Sequence, residues 1–278
     1  MNTFIVPIDF SETSKNAARY AAHLSSQISN ANIILYNVFD TIEPGTDGSP
    51  LATDTGDDEA RKAIMELALK SVQIELLNIT DASIVCVAEE GNDFVECLES
   101  YVRRNSIQLV IMGITGATRL GQIFMGSNTL KVVKKRFAPV VIVPPDATFK
   151  AMKNIMFITD FKDIDRTIPI VPIKDLLNLF KADLHIVNVD DEHYVELTEE
   201  YKAEREKLHK MVKEFNPEYY FIRMYDFMDA INQFVMDKNI DMILTVPKNH
   251  SFLSNVFKTT HTSKLAYHSH VPIVAIHS

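Results

Sequence analysis

An internal repeat is the feature that most limits the folds open to this chain. Residues 182–191 (ADLHIVNVDD) match residues 31–40 (ANIILYNVFD) at an offset of 151 residues, whereas Asp226-Phe227 and Pro272-Ile273-Val274 match Asp93-Phe94 and Pro139-Val140-Val141 at an offset of 133. The 18-residue difference lies between the second and third predicted strands, where the first half has a long loop rich in Gly, Pro, Thr and Asp. A repeat with one localised deletion indicates duplication. We therefore predict two domains, 1–147 and 148–278, joined by a short polar linker.

Each half alternates short apolar segments with amphipathic ones. In the first half, strands are predicted at residues 4–8, 33–38, 83–87, 109–112 and 139–143. β-Strands that alternate with helices form a parallel sheet covered on both faces. The predicted fold class is α/β, with two tandem Rossmann-like domains, each a five-stranded mainly parallel sheet flanked by helices.

Helix starts and buried faces follow from spacing and capping residues. Ser11 is predicted to cap a first helix that buries Ala17, Ala21, Leu24 and Ile28, and Asp93 a later helix that buries Phe94, Leu98 and Val102. The helix between them is predicted to turn Ala60, Ile64, Leu67, Ala68 and Val72 inward.

A glycine-bearing loop follows the fourth strand. Gly113, Gly116, Gly121 and Gly126 lie between the apolar run 109–112 and a helix marked by Leu130 and Val133, with Ser127 at the expected N-cap. Backbone N–H groups of such a loop and of a helix N-terminus together form an anion site, usually for phosphate. A loop that turns and caps the helix without binding a ligand stays an alternative.

Two common phosphate loops do not fit. The spacing of Gly116 and Gly121 is that of a Walker A loop, but Gln122 and Ile123 stand where that motif needs Lys and Ser or Thr. The dinucleotide fingerprint Gly-x-Gly-x-x-Gly fails at Thr115. The pattern present, Gly-x2-Gly-x9-Gly-Ser, resembles the ATP-binding loop of the universal stress protein family.

The resemblance implies the adenine nucleotide alpha hydrolase-like variant of the fold and one nucleotide site. It implies that Asp9 and Val38 contact adenine and ribose, that Pro7 shapes the same wall unless it merely starts a strand, and that the loop and helix start surround the phosphates. The residues expected to bind nucleotide are Pro7, Asp9, Val38, Met112, Gly113, Thr115, Gly116, Arg119, Gly126, Ser127, Asn128 and Thr129. Thr115 departs from the His or Arg of many members, and Arg119 is also explained as a solvated loop charge. The implied cofactor is ATP or a related adenine nucleotide, with or without Mg²⁺.

The second half lacks the loop glycines. Val246, Asn249 and Thr259 stand at the positions that match Gly113, Gly116 and Gly126. We therefore expect a degenerate second domain and one nucleotide per chain.

Composition excludes several partners. The net charge of -9 argues against nucleic acid and anionic membranes, and no segment reads as a signal peptide or membrane span, so a cytoplasmic protein is expected. The two cysteines, Cys86 and Cys97, are interpreted as buried free thiols. No catalytic motif is present, and His261, His268, His270 and His277 lack the carboxylate or Cys partners of a metal site.

The leading hypothesis is a nucleotide-responsive stress or regulatory protein. The alternatives are a slow ATPase, for which Asp9 is the nearby candidate group, and an interaction scaffold that binds no nucleotide. The fifth strands, Val140–Val143 and Ile273–Ile276, are apolar edges that we expect to pair. That pairing would make the chain an intramolecular pseudo-dimer, with a homodimer of chains as a further alternative.

Overall fold

The computed structural model describes residues 2–40, 55–114, 126–145, 147–190, 198–223, 227–247 and 271–277. The chain divides into two compact units, Met1–Met112 and Gly113–Ser278. The predictions for Thr115, Gly116 and Arg119 concern residues outside the described ones.

The described residues of the first unit form a parallel sheet and three helices. Its elements are β1 (Asn2–Pro7), α1 (Glu12–Gln27), β2 (Ala31–Phe39), α2 (Thr55–Leu76), β3 (Ser83–Glu90), α3 (Phe94–Arg104) and β4 (Leu109–Gly113). The strand order is β3-β2-β1-β4. Each neighbouring pair is parallel, with Phe4 level with Ile33 on one side and with Leu109 on the other. The predicted α/β class is confirmed.

The helix caps predicted for α1 and α3 are confirmed. Ser11 accepts a hydrogen bond from the Ser14 N–H at 3.2 Å, and Asp93 accepts from the N–H groups of Val95 and Glu96 at 2.7 and 3.0 Å. The predicted apolar face of α1 is buried, from Ala17 to Ile28. These short-range signals work because a side-chain oxygen satisfies a backbone donor that the first helical turn leaves without a partner.

The predicted inner face of α2 is wrong in part. Val72 is buried as expected, but Leu69 and Leu76 complete the core-facing side, while Ala60, Ile64 and Leu67 are exposed. The helix carries apolar residues on two opposite sides, and the periodicity alone does not say which side meets the sheet.

The part of the second unit that the structure describes contains six strands. Its elements are α4 (Ser127–Lys135), β5 (Val140–Val143), β6 (Asn154–Ile158), α5 (Ile164–Thr167), α6 (Ile170–Phe180), β7 (Asp183–Asp190), α7 (Glu199–Val212), a 3₁₀ turn (Lys213–Phe215), β8 (Glu218–Arg223), α8 (Phe227–Asp237), β9 (Met242–Thr245) and β10 (Ile273–Ala275). Their order is β5-β10-β9-β6-β7-β8. The four pairs from β10 to β8 are parallel.

The two predicted fifth strands pair with each other. β5 and β10 run antiparallel, with Ile273 opposite Ile142 and Ala275 opposite Val140. The residues of both strands are buried. The expectation that these two apolar edges cover one another is confirmed.

The repeat is visible in the backbone conformation as well as in the amino-acid sequence. Phe10 and Phe161, which are 151 positions apart, both have positive φ, at 63° and 49°. α8 begins and ends at the residues that the 133-residue offset assigns from α3. The compact units nevertheless divide at 112/113, because β5 of the first repeat pairs with β10. The boundary at 147/148 stays a prediction about the repeat.

Candidate functional site

Three strand ends of the first unit meet at one edge of its sheet. β1 pairs in parallel with β2, with Pro7 level with Tyr36, and the β1–β4 register continued from Ile5 and Val110 brings Met112 level with Pro7. Carboxyl ends of parallel strands are where ligands bind in α/β folds. Pro7 is the last residue of β1, so the alternative that it starts a strand is wrong.

Asp9 lies two residues after the end of β1 and is exposed at this edge. Its Oδ1 accepts hydrogen bonds from the Ser11 N–H at 3.0 Å and the Ser11 hydroxyl at 2.6 Å. Desolvation raises the pKa of Asp9, but the hydrogen bonds from Ser11 and Ser14 outweigh it and leave the pKa below its usual value. Asp9 is therefore an anionic acceptor at neutral pH, with Oδ2 unused by these two bonds.

Asn37 is a positioning residue that the sequence reasoning missed. Its side-chain N–H₂ donates to the Ile8 carbonyl at 2.7 Å, which ties β2 to the residue before Asp9. Among the described residues its buried Oδ1 has no hydrogen-bond partner. Asn188 makes the equivalent bond to the Thr159 carbonyl at 3.0 Å. The signal that could have revealed it is the Asn-Val pair shared by both copies of the repeated segment.

Val38 is half-buried and borders Gly91 and Cys97. A Cβ added at Gly91 would lie 2.3 Å from Cys97 Sγ and 3.6 Å from Val38 Cγ1, so the three residues are closely packed. Burial raises the pKa of the Cys97 thiol, and the carboxylates of Glu89 and Asp93 raise it further. The thiol is thus protonated at neutral pH and is a poor nucleophile.

The start of α4 lies in the second unit and is described by itself. Gly126, not Ser127, is the N-cap, and no side-chain hydrogen bond caps the helix. The Gly126 carbonyl accepts the first helical bond, from Leu130 N–H at 3.1 Å, which makes Ser127 the first helical residue and corrects the predicted N-cap. A helix N-terminus without a side-chain cap leaves N–H groups of its first turn available to an anion.

Two of the predicted phosphate residues contact each other within this unit. The Thr129 hydroxyl donates to the Gly113 carbonyl at 3.2 Å, and Thr129 is buried. Ser127 and Asn128 are exposed. The hydrogen bond fixes the first turn of α4 against the residue at which the glycine loop begins.

Two searches over the described residues were negative. No group of three or more His, Cys, Asp or Glu side chains in that part of the chain is arranged to hold a metal ion. None of the described helices combines the length and apolar character needed to cross a membrane.

Comparison with known proteins identifies the family. Residues 1–144, more than half of the chain, match the model of the Universal stress protein family. The chain belongs to the universal stress protein family. A search of curated proteins gave no match.

Solved structures share the fold over the whole chain. A universal stress protein from Archaeoglobus fulgidus DSM 4304 is 19% identical with a TM-score of 0.68, and the match covers 99% of this chain and 98% of that one. A functionally unknown protein from Pseudomonas aeruginosa PAO1 is 12% identical with a TM-score of 0.57, over 100% and 92%. A universal stress protein solved in complex with cAMP is 23% identical and covers 51% of this chain and 96% of its own, with a TM-score of 0.36. The likeness to the first two structures establishes the fold, and the ligand of this chain is left to be argued from its own residues.

Proposed function

We propose that this universal stress protein binds ATP or a related adenine nucleotide at one site per chain and acts as a nucleotide-responsive regulatory protein. The observation that carries the proposal is the start of α4, a helix with no side-chain cap that follows the glycine-bearing segment in the sequence. Such a terminus favours a phosphate because its N–H groups and the helix dipole both attract negative charge.

The proposed adenosine contacts are Asp9, Val38, Pro7 and Met112, all at strand ends of the first unit. Asp9 suits hydroxyl and amino donors and would repel a triphosphate, which assigns it to ribose or adenine rather than to phosphate. Gly113, Ser127, Asn128 and Thr129 are the proposed phosphate contacts, together with Thr115, Gly116, Arg119 and Gly126. Among the described residues of this assignment, Asp9 is the one carboxylate that could bind a Mg²⁺ ion, and it is assigned to ribose or adenine. The proposal therefore does not depend on a metal.

We propose further that the second half is a degenerate copy that binds no nucleotide. Val246-Pro247 replaces the start of the loop, and Pro removes a backbone donor. The antiparallel β5–β10 pair supports an intramolecular pseudo-dimer of the two repeats.

The chain supplies its own control for a test. Asp160 is the repeat counterpart of Asp9, and its Oδ1 accepts from the Lys162 N–H at 3.1 Å, much as Asp9 accepts from Ser11. Asp9→Ala should weaken ATP binding by about 1–3 kcal/mol, the cost of a lost charged hydrogen bond. Asp160→Ala removes a similar turn contact and should leave ATP affinity unchanged.

Titration with ATP and, separately, phosphate release distinguish the alternatives. Equal ATP affinities in the Asp9→Ala and Asp160→Ala variants would contradict the proposed nucleotide site. Steady phosphate release that depends on Asp9 would favour the slow ATPase. Absence of binding in the unmodified chain would favour the scaffold.

A further inference from the structure

We propose that the outer face of α2 is a contact between two copies of this chain, with the two helices antiparallel about a two-fold axis. Ile64, Leu67 and Ile74 on the helix, and Leu77 directly after it, are 59%, 70%, 64% and 55% exposed, although all four are large aliphatic residues. The surface formed by these four residues is named the outer stripe. It is independent of the proposed nucleotide site.

The middle of the outer stripe, formed by Leu67 and Ile74, lies opposite the side of α2 that meets the core. Leu69, Val72 and Leu76 are buried to 2% exposure or less and anchor the helix. At 100° per residue, Leu67 and Ile74 project within about 20° of each other and about 180° from the mean direction of the buried three. The solvent face of a surface helix is normally polar, so an apolar stripe there indicates a partner.

The spacing indicates that the partner is another helix. Ala60, Ile64, Leu67, Ser71 and Ile74 follow one another at intervals of four, three, four and three residues. Alternation of three and four is the narrow seam of a coiled coil, whereas a face that packs on a sheet is wider. From Ala60 to Ile74 the seam is about 21 Å long at 1.5 Å per residue.

The seam of one copy is complementary to the same seam of an antiparallel second copy. An antiparallel two-fold axis between Leu67 and Ser71 sets Ile64 opposite Ile74 of the second copy. The same axis sets the large Leu67 opposite the small Ser71. A two-fold contact repeats each pair, so one patch fills itself without a different partner.

The charges beside the seam fit the same arrangement. On one flank Arg61 faces Glu75 of the second copy, and the symmetry makes two such pairs. Arg61 also interacts within its own chain, and its five N–H donors allow both contacts. On the other flank Lys70 lies close to Lys70 of the second copy, near the axis. Glu66, one turn earlier on the same helix, offsets the repulsion between the two lysines.

Sedimentation of the full chain gives the first test. The unmodified protein should sediment at twice the chain mass of 31.5 kDa. The double variant Leu67→Glu/Ile74→Glu should sediment at the single mass, with dimer affinity lowered by at least about a hundredfold, since it buries four carboxylates in the seam. The matched control is Val171→Glu, an equally exposed aliphatic residue (66%) on α6, which should stay dimeric.

Either of two results would overturn the proposal. One is an unmodified chain that stays monomeric at roughly 100 µM, well above the Kd range of a stable dimer. The other is a seam variant that melts normally and still dimerises.

Cross-linking tests the orientation. Lys70→Cys should form a disulfide with its own copy, as two thiols are oxidised by an added copper–phenanthroline oxidant to one S–S bond with release of two protons. The variant is made with Cys86→Ser, because the charge of Lys70 acts on the Cys86 thiol within one chain. Lys62→Cys in the same background lies off the seam and should stay monomeric on a non-reducing gel. Equal cross-linking of both, or of Lys62→Cys alone, would contradict the antiparallel arrangement.

Discussion

Replacing Gly91 with Ala should destabilise the first unit because the new methyl group meets a sulfur atom. The added Cβ would lie 2.3 Å from Cys97 Sγ. Optimal non-bonded contacts are about 3.5–4.0 Å, so the sulfur must retreat by more than about 1 Å. Cys97 lies in α3, where helical backbone restricts its χ1 to about two rotamers. Overpacking of this kind costs about 1–3 kcal/mol.

The clash can be separated from other effects of the substitution. Gly91 does not have positive φ, so its backbone conformation is open to Ala. If the methyl–sulfur contact is the cause, removing the sulfur with Cys97→Ala should relieve it. The double variant should then be more stable than the sum of the two single changes by at least about 1 kcal/mol.

Urea unfolding of the four proteins measures this coupling. The midpoints and slopes of the wild type, both single variants and the double variant give the interaction free energy. Additivity within about 0.5 kcal/mol would refute the reasoning, because it would mean that residues 91 and 97 do not touch. Since Val38 borders the same contact at 3.6 Å, the coupled pair also reports on the packing beside the proposed adenosine site.

Three further substitutions have defined outcomes. Gly113→Val should melt within a few degrees of wild type, as Val246 fills the matching position, and should lose ATP binding by calorimetry; unchanged affinity would contradict the assigned loop. Thr129→Val should lower the free energy of unfolding by about 1 kcal/mol through loss of the 3.2 Å bond to the Gly113 carbonyl, measured in urea. Burial, with the charge of Arg136, lowers the pKa of His277 from 6.5 to about 4. As the pH falls, His277 is therefore protonated in the unfolded chain before it is protonated in the folded one. The stability that the neutral, buried His277 adds is complete above pH 6.5 and is lost towards pH 4. With allowance for partial exposure, it amounts to about 1–2 kcal/mol. His277→Phe should flatten the loss between about pH 7 and pH 5 in urea unfolding, and an unchanged slope would exclude His277 as its source.

The sequence predicted the features that short-range chemistry controls. Ser11 and Asp93 cap helices as expected, since each satisfies backbone donors two or three residues away. The pairing of Val140–Val143 with Ile273–Ile276 was also predicted, because an apolar strand at a sheet edge needs a cover, and the structure pairs β5 with β10. The repeat added long-range information, as its offsets assign the ends of α8 from those of α3.

Features that depend on tertiary context were missed. The core side of α2 was misassigned because both sides are apolar, and contact with the sheet, not the spacing, selects Leu69 over Leu67. Ser127 was predicted as the N-cap on residue preference, whereas the helix begins one residue earlier in its bonding, with the Gly126 carbonyl. The role of Asn37 depends on the carbonyl of Ile8, which follows another strand and is 29 positions away, so only the repeat and no local pattern points to it.

Calorimetric titration of the full chain with ATP, in the presence and absence of Mg²⁺, tests the central claim most directly. One complete loop and one degraded copy predict a stoichiometry of one nucleotide per chain, since Gly113 and Gly126 have no glycine counterparts in the second half. A single binding isotherm with that stoichiometry is the expected result. Two equivalent sites per chain, or no binding at all, would contradict it.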